Sequence, residues 1–145
     1  PRAPRLSNPA VKPRLLSGGG GLMSTPKDYL AFCTMMLNGG SYKGQHLLKP
    51  QTVVKMTRNQ LGDIQPGNYN LLGGNSGFGY GFAVRLTGGG LSPQSKGSYR
   101  WAGYAGTHFW IDPVKEMIVV FMIQNPGQSR HYIRKVRSWV YGALK

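Results

Sequence analysis

The sequence predicts an α+β fold in which helices flank a small antiparallel sheet. Helix signals occur near residue 25 and again after residue 128. Between them, residues 78–123 hold short apolar or alternating segments separated by Gly, Ser, Asp and Pro turns, which is typical of antiparallel strands. The predicted order is helix, helix, loop, four strands and helix, so the last helix is expected to pack on the sheet.

The first predicted helix follows a glycine run at residues 18–21, which is either a flexible linker or backbone that passes close to another element. Thr25 is placed to cap this helix, Pro26 takes its first position and Asp28 lies in its first turn. An apolar stripe follows, and the Asn-Gly-Gly segment at residues 38–40 ends the helix.

A second, shorter helix is predicted to begin at Pro50. Residues 59–77 are polar and rich in Gly and Asn, and long loops of this kind tend to be functional or disordered. Four strands are then predicted, at residues 78–86, 98–103, 107–111 and 117–123. The last of them is apolar throughout, which is typical of a strand inside a sheet.

The C-terminal segment, from about Ser129 to Leu144, predicts an amphipathic helix. Its apolar face is predicted to carry Tyr132, Val136 and Trp139. The remaining surface has a basic side with four cationic residues: Arg130, Arg134, Lys135 and Arg137.

The charge of the chain is strongly unbalanced. Its 145 residues, enough for one domain, include 18 Lys and Arg but only 4 Asp and Glu, for a formal net charge of +14. This excess indicates an anionic partner, such as nucleic acid, an acidic protein or a lipid surface. It is equally consistent with a piece of a longer chain whose acidic residues lie elsewhere. Residues 1–16, rich in Pro and Arg, predict an extended arm or linker, and the absence of an initiator Met suggests a longer precursor.

Several site classes are not expected from the composition. Cys33 is the only cysteine, so no internal disulfide or thiolate metal cluster can form, and its apolar neighbours predict a buried structural thiol. The histidines, His46, His108 and His131, are too widely spaced for a local metal-ligand pair, and no cofactor motif occurs. No apolar run is long enough for a transmembrane helix. Mitochondrial, periplasmic and extracellular locations all remain open.

Two places in the sequence could carry chemistry. Ser24 and Lys27 match a Ser-x-x-Lys pattern at a helix start, where Lys could accept the proton of a Ser nucleophile, although helix capping alone selects the same residue types. Residues 99–113 predict two strands joined by a glycine corner, and such a corner can aim a backbone N–H at a ligand. His108 adjoins that corner, where a structural role is the commoner one for a strand histidine.

A family resemblance emerges from the motifs in order. Residues 18–32 read Gly-Gly-Gly-Gly-Leu-Met-Ser-Thr-Pro-Lys-Asp-Tyr-Leu-Ala-Phe. They resemble the Gly-Gly-x-Gly-Leu-x-Ser-Thr-x-x-Asp-Tyr-x-x-Phe segment of β-lactamase-related serine hydrolases. These include class C β-lactamases, D-alanyl-D-alanine carboxypeptidases, family VIII esterases and mitochondrial β-lactamase-like proteins. Matches continue at residues 36–40, 47–56, 78–82 and 101–113.

The resemblance covers nearly all of residues 17–144. It implies that residues 17–145 are the C-terminal half of a β-lactamase/transpeptidase-like α/β sandwich, with helices on both faces of an antiparallel sheet. In that family the catalytic Ser-x-x-Lys and Tyr-x-Asn motifs lie before this segment, so Ser24 and Lys27 would be helix-start residues.

The resemblance also implies a site. The family's third motif, Lys-Thr-Gly or His-Thr-Gly, falls on Trp101, Ala102 and Gly103, which would line the substrate pocket in a form similar to that of esterase-like members. Tyr104, the next residue, would donate its backbone N–H to the oxyanion. Because Trp101 is not cationic and Ala102 has no hydroxyl, an ester, amide or peptide substrate, or no catalysis, is expected instead of a β-lactam.

Two functional hypotheses follow. In the first, the chain supplies one wall of a serine-hydrolase site, with residues 62–77 shaping the entrance, and is inactive without the N-terminal half of the domain or a complementary chain. In the second, a hydrolase-derived half serves as a non-catalytic basic structural subunit of a large assembly.

Overall fold

Three helices and seven strands make up the part of the chain that the computed structural model describes, residues 8, 10–64, 72, 74–89 and 93–144. The helices are α1 (Pro26–Leu37), α2 (Pro50–Thr57) and α3 (Ser129–Gly142). A two-stranded hairpin of β1 (Ser41–Tyr42) and β2 (Gln45–His46) separates α1 from α2. The other strands are β3 (Ser76–Phe78), β4 (Ala83–Arg85), β5 (Tyr99–Ala102), β6 (His108–Asp112) and β7 (Met117–Phe121).

Strands β3 to β7 form one sheet in chain order, and every neighbouring pair is antiparallel. The predicted α+β class with an antiparallel sheet is thereby confirmed. Both predicted N-terminal helix starts are confirmed as well. Thr25 caps α1, because its Oγ1 accepts from the Asp28 N–H at 3.1 Å and donates to the Asp28 carboxylate at 2.8 Å.

Helices cover both faces of the sheet. The face under α1 and α2 holds a buried cluster that includes Cys33, Met36 and Val53 from the helices and Phe109 and Ile111 from β6. Because side chains alternate along a strand, Trp110 of β6 points the other way, where it packs with Ile133 and Tyr141 of α3. This layering matches the expected sandwich, and burial raises the pKa of the Cys33 thiol to about 12, as expected for a structural cysteine.

The prediction of one strand over residues 78–86 is wrong. Two strands, β3 and β4, occupy this region, so the sheet has five strands and not four. The glycines between them make the corner: Gly81 has φ +90°, and a Cβ at Gly79 would lie 2.0 Å from the Met56 carbonyl oxygen. The alternating aromatic pattern extended through this corner, but Tyr80 is 58% exposed.

The predicted apolar face of the last helix is correct at Val136 and wrong at Tyr132 and Trp139. The α3 residues that pack against the sheet are three aliphatic side chains and one buried tyrosine: Ile133, Val136, Val140 and Tyr141. Tyr132 and Trp139 are 43% and 68% exposed. Two stripes at helical spacing overlap in this sequence, and the aliphatic one fits the narrow space above Trp110.

Strand β7 lies at the edge of the sheet among the described residues, although its composition predicts a central strand. Each of its five residues is half-buried. Its side chains contribute to both clusters, Ile118 and Val120 under α1 and Met117, Val119 and Phe121 under α3. The apolar composition therefore reflects helices on both faces, which is independent of how many strands pair with β7.

The glycine run and the residues before α1 lie outside the core. Every described residue from 8 to 28 is exposed, and one tight turn joins the Gly21 N–H to the Ser17 carbonyl at 2.9 Å. Half of the predicted arm (residues 1–7 and 9) and half of the 62–77 loop (residues 65–71 and 73) lie outside the described residues. Within the described part, none of the helices combines the length and apolarity that crossing a bilayer requires.

Candidate active-site turn and its surroundings

The predicted glycine corner is a tight turn between β5 and β6. The Gly103 N–H donates to the Thr107 carbonyl at 2.8 Å, and the Gly106 N–H donates to the Gly103 carbonyl at 3.0 Å. A third bond, from the Asn125 N–H to the Ala105 carbonyl at 2.8 Å, fixes the turn from the segment that precedes α3. The turn is thus held both by its own strands and by a neighbouring loop.

The geometry of this turn favours glycine at residue 103 and requires it at residue 106. A Cβ at Gly103 would lie 2.3 Å from the Thr107 Oγ1. Gly106 has φ +103°, which side-chain-bearing residues rarely adopt, and a Cβ there would approach Ile123 and Asn125 within about 3.0–3.1 Å.

Tyr104 follows Gly103 and is 71% exposed. Its backbone N–H meets no acceptor in the part of the chain that the structure describes. An amide that is fixed in position and unbonded is available to a ligand.

Strand β5 extends beyond its neighbour at this end. The pairing of β4 with β5 stops at Ala83 and Arg100, so Trp101 and Ala102 continue past the end of β4 while they still pair with β6. The edge of β5 next to the turn is therefore not covered by β4, which leaves room beside Trp101, Ala102 and Gly103.

Trp101 and Ala102 face opposite sides of the sheet and are both half-buried. The Trp101 ring meets Phe78 edge to face, with 5.3 Å between the ring centres, and packs against the α1-side cluster. Ala102 pairs with His108. The structure brings Trp101, Ala102, Gly103 and Tyr104 together, as consecutive residues of one strand end and turn.

Ser24 and Lys27 lie elsewhere, at the exposed start of α1. The Ser24 Oγ donates to the neighbouring Thr25 carbonyl at 3.3 Å, and no hydrogen bond joins Ser24 to Lys27 in the described structure. The capping function at this helix start belongs to Thr25.

His108 begins β6 next to the turn but faces α3. Its Nε2 is 2.8 Å from the Ser129 Oγ, which ties the strand to the first residue of α3. Burial, followed by repulsion from Arg137 and Arg100, lowers the pKa of His108 to about 4, so the imidazole is neutral near pH 7. Among the described residues, no three His, Cys, Asp or Glu side chains gather in a way that could hold a metal ion.

Asp112 lies at the other end of β6, where the sequence indicated only an Asp-Pro turn. Its side chain is 0% exposed. One carboxylate oxygen accepts from the Ser95 N–H at 3.0 Å and from the Tyr141 hydroxyl at 2.7 Å, and the other accepts from the Lys115 N–H at 3.4 Å. Burial alone would raise the pKa of this carboxyl, but these hydrogen bonds together lower it.

Comparison with known proteins identifies the family of this chain. The family model described as Beta-lactamase matches residues 1–138. The chain belongs to the β-lactamase family. The membership accounts for the order of the motifs from the glycine run to the Trp-Ala-Gly strand end.

Curated β-lactamase-family relatives are much longer than this chain. Protein Rv1367c of Mycobacterium tuberculosis is 34% identical over 121 residues, a match that covers 78% of the chain and 30% of the relative. A Salmonella gallinarum protein, by its name a proposed D-alanyl-D-alanine carboxypeptidase, is 34% identical over 111 residues, covering 77% of the chain and 24% of the relative. The chain thus spans less than a third of each.

Solved structures share the fold. EstCE1, described as a hydrolase with promiscuous acyltransferase activity, aligns with a TM-score of 0.78 and 25% identity over 92% of this chain and 34% of its own. Simvastatin synthase (LovD) from Aspergillus terreus aligns with a TM-score of 0.70 and 24% identity over 88% of this chain and 36% of its own. The β-lactamase-related sheet and its helices are therefore common to all three.

Proposed function

We propose that this β-lactamase-family chain forms one wall of a serine-hydrolase active site. The observation that carries the proposal is the unbonded N–H of Tyr104, held on a glycine turn directly after Trp101, Ala102 and Gly103. The amide belongs to a turn fixed by three backbone hydrogen bonds, so little reorganisation is needed when a ligand oxygen binds.

In acyl transfer, this amide would act on the carbonyl oxygen of the substrate. A serine hydroxyl attacks the carbonyl carbon, a base takes the hydroxyl proton, and the electron pair of the C=O bond moves to the oxygen. The Tyr104 N–H stabilises that negative charge, and collapse of the intermediate expels the leaving group, which receives the proton. The nucleophile and base would come from outside this chain, because the two residues of its only Ser-x-x-Lys pattern, Ser24 and Lys27, lie at the start of α1 and not beside the turn.

The strand end favours an uncharged acyl group. Trp101 offers an aromatic surface where the family's hydrolases of β-lactams carry a cation, and Ala102 provides no hydroxyl. A substrate carboxylate would find no ion-pair partner from these side chains. We therefore assign the substrate to the esters, amides or peptides.

We further propose that residues 17–145 are the C-terminal half of the domain, that residues 1–16 are an arm or linker, and that the chain does not catalyse alone. The support is its length, which covers 24% to 36% of the relatives and solved structures compared above. The expected partner is the part that carries the Ser-x-x-Lys and Tyr-x-Asn motifs, whether in the same polypeptide or in a separate chain.

The test replaces Tyr104 in a protein in which this chain is joined to, or expressed with, such a part from a carboxypeptidase relative. Tyr104→Pro removes the backbone N–H, whereas Tyr104→Ala keeps it and removes the side chain. We expect Tyr104→Pro to lower kcat for an activated ester by about 100-fold. Tyr104→Ala should retain most of the activity, and circular dichroism should show that both variants fold. Equal kcat values for the two variants would contradict the proposed role.

A second candidate function is a non-catalytic basic subunit of a large assembly. It is favoured by the net charge of +14 and by the exposed basic side of α3, which carries Arg130, Arg134 and Lys135. If the chain binds nucleic acid or another polyanion, its affinity should fall steeply as salt rises, because bound counterions are released. Filter binding or anisotropy over a salt series would show this, and an affinity that is independent of salt would count against the candidate.

A further inference from the structure

Three arginines converge on the sheet face that α3 covers. Arg100 of β5 pairs across the ladder with Trp110, and its guanidinium donates to the Leu72 carbonyl. Arg137 of α3 lies with its guanidinium carbon 5.5 Å from the centre of the Trp110 ring. Arg85 occupies the same face of β4, two residues after Ala83, the partner of Arg100.

No carboxylate neutralises these three cations. The chain has only four acidic residues, and within the described structure none forms an ion pair with Arg85, Arg100 or Arg137. Asp112, on the same face, already accepts hydrogen bonds from Ser95, Lys115 and Tyr141. Nearby cations without a counter-charge repel one another, and the repulsion is stronger where water is excluded.

One donor of the cluster has no acceptor. The Nε of Arg137 is buried and hydrogen-bonds to nothing in the described part of the chain. Arg85 uses its guanidinium on the carbonyls of Thr87 and Gly89, at 2.8 and 3.3 Å, and Arg100 reaches Leu72. The half-buried side chain of Arg137 therefore holds one buried N–H donor without an acceptor, which costs free energy.

The local electrostatics agree with the geometry. Burial, then repulsion from Arg137 and Arg85, lowers the pKa of Arg100, and burial is also the main cause that lowers the pKa of Arg137. His108, on the same face, stays neutral near pH 7 in this field. Among the described residues, three arginines thus share this face with a single carboxylate, Asp112, which forms no ion pair with them.

We propose that Arg85, Arg100 and Arg137 bind one oxyanion between α3 and the sheet, separate from the active-site turn. Guanidinium groups present planar forks of N–H donors that match the paired oxygens of carboxylates and phosphates. The oxyanion is either the side-chain carboxylate of an Asp or Glu in a segment outside this chain or a small free anion such as phosphate. This oxyanion would supply the acceptor that the Nε of Arg137 lacks among the described residues.

The test is a titration of the 145-residue chain with sodium phosphate and, separately, sodium acetate, at an ionic strength held constant with sodium chloride. Isothermal calorimetry gives the affinity and the thermal unfolding midpoint gives the stabilisation. Arg137→Met keeps an apolar stem over Trp110 but removes the guanidinium, and it should weaken anion affinity by about tenfold or more. Arg134→Met is the matched control, because Arg134 is an exposed arginine of the same helix.

Each result bears on the proposal. Saturable binding of both acetate and phosphate, weakened by Arg137→Met and not by Arg134→Met, supports a site for a protein carboxylate. Binding of phosphate alone with the same dependence supports a free oxyanion. Failure of both anions to bind in preference to chloride overturns the proposal, and so does an equal response of both variants. If Arg137→Met does not fold, Arg85→Met takes its place, because Arg85 is the half-buried arginine that β4 contributes to the cluster.

Discussion

At the scale of single residues, His108 shows how the environment of a side chain decides its role. Its ring bonds Ser129 and lies in the field of Arg100 and Arg137, which keeps it neutral. The pKa falls from 6.5 to about 4 on folding, so between these pH values the unfolded chain binds a proton that the folded chain does not. Stability must therefore decrease as the pH falls through this window.

This residue gives a pH prediction. Acidification from pH 7 to pH 4.5 should lower the free energy of unfolding by about 2 kcal/mol through His108, measured by urea denaturation at each pH. His108→Gln should show a shallower dependence on pH, because it has no imidazole to protonate when unfolded. His131→Gln, a change at an exposed position of α3, serves as the control and should follow the parent chain. Identical pH profiles for His108→Gln and the parent would refute the explanation.

At the scale of elements, α3 stabilises the fold through its aliphatic stripe. Ile133 is 6% exposed and packs with Trp110 and Tyr141, whereas Trp139 lies on the outer side of the same helix. Trp139 therefore stabilises the fold less than the smaller Ile133, because little of its surface is removed from water.

The corresponding prediction compares two truncations. Ile133→Ala should lower the free energy of unfolding by about 3 kcal/mol, since it leaves a cavity over Trp110. Trp139→Ala should change it by less than about 0.5 kcal/mol, as is usual for surface positions. Urea titrations followed by far-ultraviolet circular dichroism would measure both, and a larger loss for Trp139→Ala would show that the outer face is covered in solution.

The same elements show what could be predicted from the sequence. The N-cap Thr25 and the helix-starting Pro50 are local signals, and both helices begin where those signals lie. The face of α3 and the edge position of β7 depend on what packs beside them, which no local pattern contains. The split at Gly79 was obscured because alternation continued through the corner, and it depends on a distant contact with Met56.

The functional residues likewise include some that the sequence predicts and others that only the fold brings together. The Trp101 to Tyr104 segment could be found from its glycines and from the family motif, because both are sequence features. The roles of Asp112 and of the arginine cluster could not, since each needs partners from three elements that only the fold brings together. The composition shows a large positive charge. It does not show that part of this charge lies between α3 and the sheet.

At the scale of the whole molecule, the chain is a sheet with helices on both faces, and the turn that carries the exposed Tyr104 lies at the end of β5. Under the proposed function, this chain supplies a preformed oxyanion donor and a different part of the protein supplies the nucleophile. These properties predict different behaviour for the isolated chain and for the complemented one, because an oxyanion donor stabilises a charge only after a nucleophile has created it.

The last prediction follows from that separation. The isolated chain should not accelerate hydrolysis of an activated ester above the buffer rate, and Ser24→Ala and Lys27→Ala should leave this baseline unchanged. Addition of a part that carries the Ser-x-x-Lys and Tyr-x-Asn motifs should produce activity that Gly106→Ala lowers. Gly106 has φ +103°, and a Cβ there would lie 3.1 Å from the Asn125 carbonyl oxygen, so the turn that holds the Tyr104 amide must shift. Thr87→Ala, a change on an exposed loop, controls for general effects of substitution. Ester turnover by the isolated chain that is lost in Ser24→Ala would place the nucleophile at the start of α1 and overturn the division of roles.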